Sequence, residues 1–384
     1  MTPSHILIFW FMNDWGKYGR TYEMIARHLA ELESVERVVC VLPPEWLWNG
    51  LYPFPFTKNE VSGTLSAITP NTTIIPGFLG LGKFSDHMNN EYINRSIVKY
   101  LKKLGFEKSN TLLWVFPLHP FIEVLVSTVP HRMLISQMVD NNIFKPNLPE
   151  DRREFVKGRY ERHASRADMV ITSSPANHQF FSRLNRNTYL FENALDGAFI
   201  NRDKTGRRKG TPARPRIGYV GWITYRTDIR IFEDIAAARK EYDLVLAGPI
   251  EKGIDLQGLR SRTNVIYKGP ISYREVPGFL REIDVCIMPH IDNSYSQSMS
   301  PLKLFQYLGS GKPIVTTRVC GIKRFEPLLY VADSREDFVD KIDKALEEEG
   351  GDLVRGRIEA AKKETWDIRV REILGAIEKH WQAG

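Results

Sequence analysis

Cysteine is scarce in this 384-residue chain. Cys40, Cys286 and Cys320 lie far apart with no Cys-x-x-Cys spacing, which excludes a disulfide framework and a cysteine-ligated zinc module. Two of them sit in apolar runs, RVVCVL and DVCIM, and read as buried free thiols of a reducing cytosol. Long hydrophobic runs are lacking too. The run Ile6–Met12 is too short to cross a bilayer, has no Lys or Arg before it and is followed at once by Asn13 and Asp14. It reads as a buried first strand rather than a leader, and no other segment looks transmembrane. The nine histidines form no HExxH motif and no His/Cys cluster, so no metal is expected. No internal repeat of solenoid period is present.

Positive charge, by contrast, is in excess, at a formal +7. Residues 1–200 carry +2 and residues 217–384 carry −1, whereas the segment NRDKTGRRKGTPARPR, 201–216, holds seven Lys/Arg against one Asp. An excess confined to one short stretch reads as a solvated basic linker. A nucleic-acid surface spreads basic residues over a face with interleaved aromatics, and would show steep salt dependence.

With 42% hydrophobic and 26% charged residues, the composition is that of a globular protein long enough for two domains. HILIFWF reads as a strand, GRTYEMIARHLAEL as a helix with Met24, Ile25, Leu29 and Leu32 on one face, and RVVCVL as a second strand. Residues 43–88, rich in Pro, Gly and aromatics, are expected to be loops with short elements. A helix over about 90–104, then TLLWVF, LHPFIEVLVSTV, HRMLIS, a polar-faced helix DRREFVKGRYERHASRA, DMVITSS and PANHQFFSRL complete the first half. After the linker the alternation restarts with RIGYVGW, IRIFEDIAAARKEY and DLVLAGP and continues to about residue 349. Two such blocks predict two doubly wound α/β domains in tandem, facing one interdomain cleft at the carboxyl ends of their strands.

Two glycine-rich stretches carry no nucleotide fingerprint. GFLGLGKF, 77–84, has the wrong spacing for a dinucleotide loop. In GSGKP, 309–313, Pro313 replaces the Ser/Thr that would hold magnesium. More informative is SPLKLFQYLGSGKPIVTT, residues 300–317. Ser300 suits an N-cap, Pro301 the first helical position, and Gly309 or Gly311 the helix end. The backbone N–H groups of such a helix start, with Lys303 in its first turn, suit a phosphate or pyrophosphate, although a plain capped helix is the simpler reading.

The run PLKLFQYLGSGKPIV resembles the signature helix of GT-B glycosyltransferases, in particular the retaining family four and its relatives in bacterial surface-polysaccharide synthesis. ERHASRADMVITSS, NTYLFENALDGAFI, RIGYVGWITYRTD, TNVIYKGPISYREVPGFLREIDVCIMP and TWDIRVREIL resemble further family segments, in the family's order and over both halves of the chain. The resemblance implies a GT-B fold of two Rossmann-like domains. An acceptor-binding domain would span 1–200, the linker 201–216 and a nucleotide-sugar domain 217–365, with a helix over 366–384 returning to the first domain. It implies a metal-independent, hexosyltransferase-type enzyme without a cofactor, moving a sugar from a nucleotide-diphosphate sugar to a hydroxyl of a glycan or lipid-linked glycan. Such an enzyme would be cytoplasmic, with peripheral contact at the inner face of the membrane.

Carried over residue by residue, the pattern has gaps. Gln306 stands where the family's second Glu binds the ribose, and Ser298 where its first Glu contacts the donor sugar. The amides of Ser300, Pro301, Leu302 and Lys303 are expected to cradle the diphosphate, with Gly221 and Gly16 allowing close approach. Arg226 is expected to stabilise the leaving group, pairing with Asp228 being the plain alternative. In the loop after the first strand, Asp14 is a candidate general base, and Lys17, Tyr18 and Asp140 candidate acceptor contacts; Asn13 and Gly19 belong to the same loop. His119, after TLLWVF, resembles the family's histidine near the donor sugar and is equally readable as structural. The aromatic loop EWLWNGLYPFPF, 45–56, suits a glycan, a lipid-linked acceptor or a membrane interface if its rings are exposed. Two other classes stay open beside the transferase: a degenerate GT-B-like binding protein, motivated by the missing Glu pair, and a nucleotide-sugar epimerase.

Overall fold

The computed structural model describes every residue except 1, 13, 44, 48–55, 61, 74–94, 120–121, 202–213, 350 and 384. Asn13, the glycine-rich 77–84, most of the basic linker and the side chains of the aromatic loop therefore lie outside the described residues.

The first sheet consists of β1 (His5–Phe9), β2 (Arg37–Val41), β3 (Glu45–Leu47), β4 (Phe56–Glu60), β5 (Leu65–Thr73), β6 (Thr111–Val115), β7 (Met133–Met138), β8 (Met169–Thr172) and β9 (Thr188–Leu190). Its order is β3-β5-β2-β1-β6-β7-β8-β9, parallel throughout, with β4 antiparallel on β5. The helices are α1 (Thr21–Ala30), α2 (95–103), α3 (Ile122–Thr128), α4 (Glu150–Arg166) and α5 (Pro175–Phe181). The stretch 43–73 holds more sheet than its composition suggests, because β5 pairs with β2 over Leu65–Ile68 and carries β3 and β4 along the rest of its length.

The second sheet is built from β10 (Arg216–Val220), β11 (Asp243–Ala247), β12 (Val265–Tyr267), β13 (Val285–Met288), β14 (Ile314–Thr317) and β15 (Tyr330–Ala332), all parallel in the order β12-β11-β10-β13-β14-β15. Its helices are α6 (Ile229–Ala238), α7 (Gln257–Arg260), α8 (Val276–Arg281), α9 (Ser294–Gln297), α10 (Leu302–Ser310) and α11 (Arg335–Leu346), followed by α12 (Asp352–Lys362) and α13 (Trp366–Ala383). Both faces of this sheet are covered. Along β10, Ile217 and Tyr219 enter one apolar cluster and Val220 the other, the period-2 signature of a buried strand.

The chain crosses between the two units twice. Leu195 and Thr365 form a parallel bridge, with Leu195 N–H donating to Glu364 O and Trp366 N–H to Leu195 O. Beyond that bridge, Trp366, Val370, Ile373, Ile377 and Trp381 recur at helical spacing on α13 and join Trp10, Tyr22, Ile25 and Leu29 in one apolar cluster. The last helix thus packs on the first unit. In each sheet the strand order reverses beside the central strand, between β1 and β6 and between β10 and β13, and the cleft lies at these switch points.

Candidate active site

The floor of the cleft in the second unit is made of backbone. Gly221 directly follows β10 and Gly248 directly follows β11, with φ of +134° and +135°. A Cβ on Gly248 would collide with the Gly221 carbonyl oxygen, and one on Gly221 would lie 3.0 Å from Lys303 Cε and 3.3 Å from its Nζ. Glycine is required at both for conformation and for space. The Lys303 ammonium lies over this floor, 2.7 Å from the Tyr219 hydroxyl and 4.2 Å from the centre of its ring. Because Tyr219 spends its own proton on Trp222 O, its oxygen is the acceptor for Lys303.

Arg226 faces the same cavity, of about 450 Å³. Its partner is not Asp228, which caps α6 through Arg230 N and pairs with the Arg230 side chain. The Arg226 guanidinium lies 3.8 Å from the centre of the Tyr295 ring, and its Nη2 is 2.9 Å from Asp140 Oδ2, across the cleft. That ion pair occupies Nη2, whereas Nε is a buried donor without a hydrogen-bond acceptor. Burial opposes the charge on Arg226, but Asp140 and Tyr295 outweigh it and hold the pKa above the ordinary arginine value. The Tyr295 hydroxyl is pushed up to about 12, chiefly by burial.

The start of α10 differs from its sequence reading. The helix begins at Leu302, and Pro301, which has no N–H, occupies the N-cap without a side-chain cap. Ser300 is not the cap, because its hydroxyl accepts from Asn193 N at 3.0 Å while Asn193 Nδ2 donates to Ser300 O at 2.6 Å. The Thr21 hydroxyl donates to Asn193 Oδ1 at 2.7 Å, so a buried chain of hydrogen bonds ties the start of α1 to the start of α10. Ser298 is likewise consumed. Its Oγ accepts from Asn141 N at 3.1 Å and donates to Tyr295 O, and Asn177 Nδ2 donates to its carbonyl at 2.8 Å. Gly311, at φ +73°, ends α10 as expected, and the Tyr307 hydroxyl accepts from Val220 N, fixing the helix against β10.

In the first unit the loop after β1 is clamped to the second unit. Tyr273 N donates to Lys17 O at 3.2 Å, and the Tyr273 ring packs on Gly19, where a side chain would collide with it. Tyr18 faces Trp222 with ring centres 6.1 Å apart, and the Arg20 guanidinium lies 5.3 and 5.4 Å from the two rings. Asp14 is a loop anchor rather than an open base. Its carboxylate accepts from Trp10 Nε1 at 2.9 Å, Arg20 Nε at 2.6 Å and the Tyr22 hydroxyl at 3.2 Å.

The described cavity wall includes Tyr18, Asp140, Gly221, Arg226, Ser300 and Pro301, with Leu302, Lys303 and Gln306 on the next turn. Asp14, Gly16, Lys17, His119 and Ser298 are not on it. The Gly16 amide is instead tied to Glu23 Oε2. Of the two readings of His119, its placement fits the structural one. The chain turns after β6 and buries it completely against Phe9, and burial pushes its pKa down to about 3.

Sequence reasoning missed several wall residues. Trp222 presents a buried indole N–H without an acceptor. Lys145 and Glu251 form a second ion pair across the cleft, at 3.3 Å. His290 follows β13 after one proline and lies on the wall. Its signal was its place at the carboxyl end of a central strand. Among the described residues, His28, Glu31 and Asp367 could together reach a cation, but they lie at the end of α1 and the start of α13, off the cavity wall. No helix among the described residues is long and apolar enough to cross a membrane.

Comparison with known proteins agrees with this geometry. Residues 214–348 match the family model described as Glycosyl transferases group 1. The chain is 28% identical over 249 residues to a protein of Bacillus subtilis (strain 168) assigned as the teichuronic acid biosynthesis glycosyltransferase TuaH, covering 61% of this chain and 63% of that one. The match thus spans less than two thirds of that relative's length. Among solved structures, sucrose-phosphate synthase from Thermosynechococcus elongatus superposes with a TM-score of 0.73 at 16% identity, over 99% of this chain and 100% of that one. Anabaena Alr3699/HepE in complex with UDP and glucose superposes with a TM-score of 0.65 at 13% identity, over 98% and 100%. The fold is GT-B, two Rossmann-like units about one cleft.

Proposed function

We propose, from the premise that residues 214–348 are a glycosyl transferases group 1 domain on a GT-B fold, that this chain is a glycosyltransferase. It uses a nucleotide-diphosphate sugar and transfers the sugar to a hydroxyl of a glycan or lipid-linked glycan in surface-polysaccharide synthesis. The observation that carries this reading is a pair of buried donors with no acceptor of their own, Arg226 Nε and Trp222 Nε1, beside the Arg226 and Lys303 cations and around a cavity floored by glycine. A diphosphate supplies the oxygens such donors lack.

In this reading the bond between the sugar C1 and the β-phosphate oxygen breaks, and the new bond forms from C1 to the acceptor hydroxyl oxygen, whose proton passes to the departing β-phosphate. Charge gathers on the departing β-phosphate. Arg226, Lys303 and the free N–H groups of Leu302 and Lys303 at the start of α10 oppose it from positions already fixed by their packing. Gly221 lets the diphosphate approach the backbone, Gln306 meets the ribose and Asp140 the acceptor hydroxyl. We place the acceptor-binding unit at 1–200 and the donor unit at 217–365, and the working site in the cytoplasm at the inner face of the membrane, where lipid-linked acceptors are presented.

The test is thermal stability against UDP, GDP, dTDP, CMP and their sugar conjugates, with Arg226→Ala in parallel, followed by product analysis with the donor that binds. A shift with one nucleoside diphosphate, reduced in the variant, and a glycosylated product are expected. Binding without transfer to any acceptor would indicate a degenerate binding protein, and an altered donor sugar an epimerase.

A further inference from the structure

The donor-rich cavity contains one buried group of the opposite kind. His290 is only 4% exposed and lies on the cavity wall. Its backbone is locked, since its N–H donates to Thr317 Oγ1 at 3.0 Å, its carbonyl accepts from the same hydroxyl at 2.6 Å, and Asp228 N holds the preceding Pro289 carbonyl. The ring is locked as well. Nδ1 lies 3.2 Å from Arg226 O, and a carbonyl oxygen can only accept, so Nδ1 carries the proton. Nε2 is then a lone pair. It is buried and has no hydrogen-bond partner among the described residues.

We propose that His290 Nε2 accepts a hydrogen bond from a hydroxyl of the sugar carried by the nucleotide donor, and so takes part in choosing that sugar. The proposal rests on the transferase reading above. Its logic is complementarity. The groups around the diphosphate position, Arg226, Lys303, Trp222 and the first amides of α10, all donate, and a phosphate oxygen has no hydrogen to give to a lone pair. A sugar hydroxyl does. His290 also stays uncharged in this setting, because burial, Lys303 and Arg226 all disfavour the imidazolium and hold its pKa well below the ordinary value. It lies beside Arg226, which faces Asp140 of the first unit, so a donor whose diphosphate meets Arg226 brings its sugar within the same part of the cavity. A sugar-selecting role on this wall also suits the structure's use of Ser298, whose hydroxyl and carbonyl are both taken up in the seam between the units.

The decisive measurement keeps the wild-type protein intact. The ¹⁵N resonance of His290 Nε2, assigned by its loss in His290→Gln, is followed while the matching nucleoside diphosphate and then its sugar conjugate are added. The expected result is a shift with the conjugate and none with the nucleoside diphosphate. In parallel, calorimetry on His290→Leu is expected to show about 10-fold weaker binding of the conjugate, with the nucleoside diphosphate bound within about twofold of wild type and His290→Gln restoring part of the loss. A shift or proton uptake with the nucleoside diphosphate alone would place a phosphate at His290 and overturn the proposal. So would an unmoved resonance on conjugate binding, in which case the transferase reading survives. A protein that binds none of the panel overturns both.

Discussion

Arg226 of the second unit and Asp140 of the first meet across the cleft, with Nη2 2.9 Å from Oδ2, and the Tyr295 ring stacks against the guanidinium. A cation intended for a diphosphate is thus already held by a carboxylate from the opposite wall. The arrangement fixes the guanidinium and also competes with any incoming anion.

Removing either partner therefore gives opposite results. Arg226→Ala is expected to weaken binding of the matching nucleoside diphosphate by roughly 30-fold, the scale of about 2 kcal/mol for a charge-assisted hydrogen bond. Asp140→Asn should strengthen it severalfold. It should also lower fold stability, since it leaves the buried Arg226 charge without its carboxylate partner. Calorimetry on both variants with the same nucleotide decides the matter, and equal weakening would mean that Asp140 does not compete.

The two glycines of the floor should respond differently to alanine. At Gly221 the added methyl meets the far end of Lys303, which can move, so the main cost is the backbone strain of a residue at φ +134°, about 1–3 kcal/mol. Nucleotide affinity should drop with it, as Lys303 shifts. At Gly248 the methyl meets a backbone carbonyl that has nowhere to go. Gly248→Ala is expected to lower Tm further than Gly221→Ala, and thermal melts of the two side by side provide the check.

Asn193 links Thr21 and Ser300, and with them the start of α1 and the start of α10. Truncating it to alanine leaves a buried hydroxyl and a buried carbonyl without partners, at about 1–3 kcal/mol. Because it registers one wall of the cleft against the other, Asn193→Ala is expected to slow sugar transfer by roughly ten- to a hundredfold while nucleoside-diphosphate affinity changes little. Comparing kcat with the nucleotide Kd tests this, and a parallel loss in both would mark a general structural defect.

Acid should destabilise the fold through its buried histidines. His119 is held neutral down to about pH 3 by burial, and His163 and His290 are shifted in the same direction, also by burial first. Unfolded histidine titrates near pH 6.5. Below that pH the unfolded chain takes up protons that the folded chain excludes, so stability present above pH 6.5 is lost progressively as pH falls toward 3. For His119 this removes roughly 1 kcal/mol by pH 5.5. Urea titrations at pH 7.5 and 5.5 should show this loss, with a smaller difference between the two pH values for His119→Phe.

The alternation of strands and helices was legible because doubly wound sheets bury both faces, so β1, β2, β6, β10 and β13 stand out as apolar runs. Gly221, Arg226 and Lys303 were legible by resemblance, and the structure brings all three to one cavity. What escaped depended on partners far away in sequence. Ser300 has the chemistry of an N-cap, yet Asn193, more than a hundred residues earlier, claims its hydroxyl. Asp14 has the chemistry of a general base, yet the fold converges Trp10, Arg20 and Tyr22 on its carboxylate. His119 and His290 each follow a strand at the same end of a sheet. Only the path of the next turn sends one into the core and leaves the other on the cleft wall.

The glycine pair beneath Lys303 has a consequence for how this site can diversify. Where β10 and β11 end, the surface offered to a ligand is peptide oxygen, peptide nitrogen and Cα, and a side chain is disfavoured at both positions, by space at Gly248 and chiefly by backbone conformation at Gly221. That patch is nearly blind to substitution, so the part of the ligand it meets is fixed. Any change of substrate among proteins built this way has to be written on the surrounding walls, in residues such as His290, Tyr18 and Trp222, while the anchoring of the shared portion stays the same.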